Sequence, residues 1–269
     1  MRRVVALYLR LIRIQWRSQL QYRAAFTLDL LGGGLSTIVW FAGIALIFER
    51  FDRLGGWTLG EVAFLYGMAE IGLALALLLF NGFDPGDFGQ YVRRGTFDQF
   101  LLRPLSLTVQ VLGSRISVAR IGRIVQAAII LALALSWTDI HWTAAKLLYM
   151  PVIIAGLVCF FSGLFVIGST ITFWTVESVE VINIFTYGGS ELMSYPMHIY
   201  QAWMRDFFTY IVPAIFLNYY PALFILDRPD PLGFPSWAPF LAPLAGLGVF
   251  AAAQWFWRYG IRHYQSTGS

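Results

Sequence analysis

Long apolar runs separated by short polar breaks organise this chain. A membrane-spanning helix needs about 20 mostly apolar residues, because a hydrocarbon core of about 30 Å is crossed at 1.5 Å per residue. Residues 26–48 meet this requirement with one charge, Asp29, near the start, and residues 62–83 with one charge, Glu70, near the middle. A third run, 116–137, is entered through Arg115, Arg120 and Arg123. A fourth, 145–174, is long enough to tilt, and 237–257 is a clear last span. Ahead of the first run the pattern differs. Within residues 2–23, Val5, Leu9, Ile12, Trp16 and Leu20 share one face at helical spacing, and Arg3, Arg10, Arg13, Arg17 and Gln21 share the adjoining one. This predicts an amphipathic helix lying on an anionic, cytoplasmic leaflet. The arginines interrupt any apolar core of a signal peptide.

The stretch from 177 to 226 is more broken. Residues 179–195 are apolar in patches, interrupted by Glu180, Asn183, Gly188, Gly189 and Glu191. Residues 211–226 are apolar but carry Pro213 and Pro221. The preferred reading is a fifth span over 179–195, then a re-entrant or interfacial segment over 196–226 before the last span. Broken backbone at membrane depth is tolerated only where protein or a water-filled cavity covers it. The alternative makes 211–226 the fifth span and leaves 177–206 inside. Either way the pattern predicts one all-α integral membrane domain over 1–269, with an interfacial first helix, six spans and both ends on one side.

Composition agrees. The 269 residues are 58% hydrophobic and 13% charged, with a mean hydropathy of +0.65. Soluble domains average about 45–50% apolar and about 25% charged, so a soluble enzyme is close to excluded. The net charge of +4 could suggest nucleic acid. Yet the basic residues flank apolar runs, which instead reports orientation. With the N-terminus inside, arginines 2, 3, 10, 13, 17, 23, 93, 94, 103, 115, 120, 123, 258 and 262 are cytoplasmic. Only Arg50, Arg53, Lys146, Arg205 and Arg228 are outside. The single cysteine, Cys159, permits no intrachain disulfide and no cysteine metal site.

No phosphate-cradling G-x-x-x-x-G-K-[ST] loop is present, no H-E-x-x-H and no G-x-S-x-G. Gly32, Gly33 and Gly34 read as a close-packing site within a span. Any energy input must therefore come from outside this chain. Glu70 is the outlier: a carboxylate at mid-bilayer must face protein or water. It is either a substrate or ion contact on a translocation path, or a protonated or hydrogen-bonded group that fixes helix packing. Asp29 has Arg23 or Arg115 as possible partners, and Arg115, Arg120 and Arg123 read as snorkelling anchors. The connector 84–105 mixes charges with Phe97, Phe100, Leu101 and Leu102. A merely solvated loop has no need of these apolar residues; they suit a partner's groove or a headgroup layer.

The R-G-T-F-D-Q-F-L-L-R-P-L stretch from Arg94 to Leu105 resembles the intracellular connector of type-2 ABC exporter permeases. The amphipathic elbow helix and six-span layout are similar too. Tyr195-Pro196, Tyr200, Trp203-Met204-Arg205, Pro213 and the C-terminal stretch from Trp257 to Ser269 resemble an uncharacterised-permease subfamily of that class. The resemblance implies a transmembrane subunit without its own ATP site, working with a separate ABC ATPase that binds ATP and Mg. It also implies a second, commonly non-identical permease as partner, within the lipid of the cell membrane. It assigns ATPase coupling to Arg94, Gly95, Thr96, Phe97, Asp98, Leu101, Leu102, Arg103 and Pro104. Glu177 and Glu180 are a possible second contact, and Glu70 a possible translocation-path residue. An ion-coupled transporter, motivated by Glu70, and a membrane-embedded enzyme are the competing readings. The apolar, aromatic spans suit amphiphilic drugs, lipids and organic cations equally.

Overall fold

A computed structural model describes residues 23–115, 117, 120–175 and 180–266. The amphipathic helix expected over 2–23 lies outside these residues, except for Arg23. Among the described residues every regular element is helical, apart from an isolated bridge between Leu54 and Trp57. The principal helices are α1 (Arg23–Arg50), α2 (Leu59–Leu79), α3 (Pro85–Arg93), α4 (Asp98–Leu101), α5 (Leu107–Ser114), α6 (Arg120–Trp137) and α7 (Ala144–Thr175). After them come α8 (Glu180–Asn183), a π-turn over Ile184–Gly188, α9 (Gly189–Met193), α10 (Ala202–Asp206), a second π-turn over Phe207–Ile211, α11 (Ala214–Ile225) and α12 (Ala238–His263).

Among the described residues four helices, α2, α6, α7 and α12, are long and apolar enough to cross a membrane. A fifth candidate is the pair Ala202–Ile211 and Ala214–Ile225, bent by 97° at Pro213. Proline lacks an N–H and clashes with the preceding turn, so a sharp bend there has a local cause. The segment 180–193 is a single short rod broken by a π-turn, about 21 Å long at 1.5 Å per residue. That is shorter than the hydrocarbon core. The 28 residues of α1 extend about 42 Å by the same rise, and the helix points Leu28, Leu31, Leu35 and Val39 outward.

Helix α2 is the axis of the bundle. Within its apolar window 78% is buried, against 28% in α6 and in α12, so its all-round hydrophobicity is that of a helix enclosed by others. Its start is fixed by a capping box: the Thr58 N–H donates to Glu61 Oε2 at 2.8 Å, and the Glu61 N–H to Thr58 Oγ1 at 3.5 Å. It ends at Leu79, earlier than the apolar run does, because the chain must turn tightly at Gly82. A Cβ there would lie 1.8 Å from the Val111 carbonyl oxygen. Helices α7 and α12 pack through Gly156 and Gly246, where a Cβ on Gly246 would come within 2.2 Å of the Gly156 carbonyl. Small residues give such close approach in lipid. The close packing expected at Gly32 is not made among the described residues, where a Cβ would meet nothing within 4 Å.

The loops around the start of α2 and the end of α11 are tied by polar contacts. Arg228 donates to Glu61 at 2.5 Å and to the Gly56 carbonyl at 2.9 Å, and lies over the Trp57 ring. His198 bridges the Gly55 carbonyl and the Tyr219 hydroxyl. Buried Asn218 of α11 donates to the carbonyls of Leu65 and Met193, joining the bent pair to α2 and α9. Lys146, also buried, pairs with Asp227 at 2.5 Å.

Candidate functional site: a coupling surface and a charged cavity

The connector after α2 folds into a compact unit. Asp84 caps α3, its Oδ1 accepting from the N–H groups of Gly86 and Asp87 at 3.1 and 3.4 Å, with Pro85 in the first turn. Burial pushes the Asp84 carboxyl above the usual carboxylate range, against the pull of those two donors. Helix α3 turns Phe88 and Val92 inward. It ends at Gly95, whose φ of +64° is the left-handed conformation that glycine adopts without a Cβ clash. The Phe97 N–H then donates back to the Tyr91 carbonyl at 3.0 Å, folding the chain under α3.

This fold-back separates the residues that the resemblance assigns to coupling into two groups. Phe97 is fully buried, its ring 4.9 Å from Tyr264, 5.1 Å from Phe173 and 5.5 Å from Phe88, with Trp257 at the edge of the same cluster. Helix α4 begins only after it, so Phe97 and Leu101 do not share the outward face that a four-residue spacing on one helix suggests. Thr96 donates to the Tyr91 carbonyl at 3.3 Å. Leu101, Leu102, Arg103 and Pro104 are exposed, Leu102 at 85%. Arg94 is exposed beside the glycine turn. Gln110 of α5 stitches the exposed turn, donating to the carbonyls of Phe100 and Leu105 at 3.0 Å each.

The C-terminal residues fasten onto this unit, a contact that sequence reading missed. Asp98 accepts from the Tyr264 hydroxyl at 3.0 Å and from the Ser266 hydroxyl at 2.6 Å. Burial and the bond to Asp98 push the Tyr264 phenol up to about 12, so it remains a donor at neutral pH. Trp257 of α12 donates to Thr108 at 3.1 Å. The ends of α7 and α12, the connector and the C-terminal residues therefore meet at one end of the bundle. Glu177 lies outside the described residues, and Glu180 opens α8.

The second feature lies in the bundle interior. Glu70 is 3% exposed and accepts a two-pronged contact from Arg123 of α6, Nε to Oε2 at 2.9 Å and Nη2 to Oε1 at 3.0 Å. The planar guanidinium fork matches a carboxylate in this way. Ser190 of α9 adds a third donor at 3.4 Å. Arg123 is thus not a snorkelling anchor. Four residues into α6, it turns inward to the Glu70 carboxylate. Arg115 pairs with Asp87 of α3. Beside the Glu70–Arg123 pair is a cavity of about 330 Å³, lined by Trp40, Tyr66, Tyr187 and Glu191 as well as the pair itself.

No curated relative and no solved structure shows significant similarity to the chain. The family model described as ABC-2 family transporter protein matches residues 35–268, nearly the whole length and including both features just described. The chain therefore belongs to the ABC-2 family of transporter proteins, whose members are the membrane subunits of ABC transporters.

Proposed function

We propose that this chain is one transmembrane half of an ATP-driven exporter for an amphiphilic substrate, with a second, non-identical permease as the other half. ATP and Mg are held and hydrolysed by a separate ATPase subunit, and the chain is itself no enzyme. The observation that carries this reading is the rigidly backed, outwardly apolar turn at Leu101–Pro104, at the end of the bundle where the connector and the last helix meet. Exposed leucines on a well-anchored turn suit docking into a groove of a partner. Arg94, Gly95, Thr96, Phe97, Asp98, Leu101, Leu102, Arg103 and Pro104 form the coupling element, the exposed members touching the ATPase and the buried ones passing its movement to α7 and α12. Glu177 and Glu180 supply a second, shorter contact. The layout is an elbow helix and six spans, the fifth over 179–195, with 196–226, which contains the bent pair, as the re-entrant or interfacial segment at the outer face and both termini cytoplasmic. Glu70 lies on the translocation path.

The purified chain is expected to neither bind nor hydrolyse ATP, and to co-purify with an ABC ATPase when the genes that neighbour its own are co-expressed with it. Robust hydrolysis by this polypeptide alone, or failure to retain any ATPase, overturns the reading. Orientation is checked separately by cysteine labelling in a Cys159→Ala background. Residue 94 is expected to be shielded from a membrane-impermeant reagent added outside and residue 141 to be labelled. External labelling at 94 removes the coupling role.

A further inference from the structure

The cavity beside Glu70 contains more negative charge than its own guanidinium balances. We propose that it binds a lipophilic organic cation of the ammonium or phosphonium type, with Glu191 as counter-charge and the rings of Trp40, Tyr66 and Tyr187 as its walls. As a statement about what is transported this rests on the permease reading above; as a binding site it stands on the geometry.

Two carboxylates and one guanidinium line the space. The guanidinium fork is committed to Glu70, and Ser190 donates to the same carboxylate. The Glu191 carbonyl accepts from the Ser194 N–H at 3.1 Å, but its carboxylate makes no hydrogen bond or ion pair with any described residue. Glu191 is half-buried, and an unmatched charge partly withdrawn from water between apolar helices is compensated either by a proton or by a cation. Bare divalent ions are held by several converging oxygens, and among the described residues no group of three or more acidic, histidine or cysteine side chains could hold a metal ion. Ring faces with one carboxylate do suit a diffuse, weakly hydrated cation, which aromatic surfaces attract through their quadrupoles. About 330 Å³ accommodates such a molecule, whereas a lone proton would leave both the volume and the aromatic walls without a role.

The test is equilibrium binding of radiolabelled tetraphenylphosphonium to the full-length chain in detergent, with unlabelled tetraphenylphosphonium as competitor and the binding of tetraphenylborate, an anion of the same shape, measured in a separate sample. Saturable binding of the phosphonium but not of the borate is expected. Glu191→Gln, which keeps the volume and removes the charge, is expected to weaken it about tenfold or more, a change of about 1.4 kcal/mol per decade. Glu191→Asp should stay within about threefold of the parent. Trp40→Leu, on the exposed helix α1 where folding is least at risk, should weaken binding by about threefold or more through loss of one ring face. Gel filtration of each variant reports folding. If Glu191→Gln does not fold, the comparison of cation with anion and the Trp40 variant decide. Absence of saturable binding, equal affinity for the borate measured alone, or unaltered affinity in Glu191→Gln overturns the proposal. A chain that retains its ATPase yet binds no cation loses this inference alone. One that binds the cation but retains no ATPase loses the permease reading instead.

Discussion

Arg123→Met is expected to lower the thermal stability of the detergent-solubilised protein more than any other single polar change in the bundle. The substitution leaves Glu70, 3% exposed, without the two donors that compensate its charge. Breaking a buried pair from one side costs about 3–5 kcal/mol, because the remaining charge has lost its water as well as its partner. Part of that loss is relieved if Glu70 takes up a proton, an escape not open to an orphaned guanidinium. The double variant Glu70→Met, Arg123→Met removes both charges and fills similar volume, so it should regain most of the stability lost by the single change. A double-mutant cycle read by melting temperature separates this coupling from the packing of each side chain. An Arg123→Met protein that melts with the parent, or a double variant no better than the single one, would mean that the pair contributes nothing to holding α2 against α6.

That pair also shows where the sequence was legible and where it was not. An acid in the middle of an apolar run announces itself, because mid-bilayer charge is costly enough to require a partner. The all-helical class and the long apolar helices follow from the same arithmetic of length and hydropathy. The partner was harder to identify. Arg115, Arg120 and Arg123 look alike at the mouth of a span, and only depth distinguishes them: Arg123 is the innermost, level with Glu70. A rule that pairs a lone mid-span acid with the deepest basic residue of another span would have found it. Arg228 escaped for a different reason. As an isolated arginine in an outer loop it reads as exposed, whereas it sits against Glu61, Gly56 and Trp57, which are more than 160 positions away in sequence. The broken segment between 180 and 225 was ambiguous because its proline and π-turn interruptions destroy periodicity, and periodicity is the signal on which span boundaries depend. The fastening of Tyr264 and Ser266 to Asp98 had no local signature at all.

The coupling element makes the same point through its two kinds of apolar residue, which should respond oppositely to truncation. Phe97→Ala removes a fully buried ring from contact with Phe88, Phe173 and Tyr264 and leaves a void where α3, α7 and the C-terminal residues converge. Large-to-small changes of this type cost about 3–5 kcal/mol, so a clear fall in melting temperature is expected before any partner is added. Leu101→Ala with Leu102→Ala touches side chains that face outward and should leave melting nearly unchanged, within about 0.5 kcal/mol per site. Its effect should appear only in the assembled transporter. Anchors buried at an interface typically cost more than about 1 kcal/mol each when truncated. The leucine pair should therefore loosen ATPase association or uncouple hydrolysis from transport, while the Phe97 variant loses stability first and coupling as a consequence. Measuring melting and ATPase retention on both variants separates the roles. If the leucine variant retains its ATPase and transports like the parent, Leu101–Pro104 only dips into the headgroup layer. The contact with the ATPase must then be sought elsewhere at this end of the bundle, where the C-terminal residues beside Asp98 are the nearest surface.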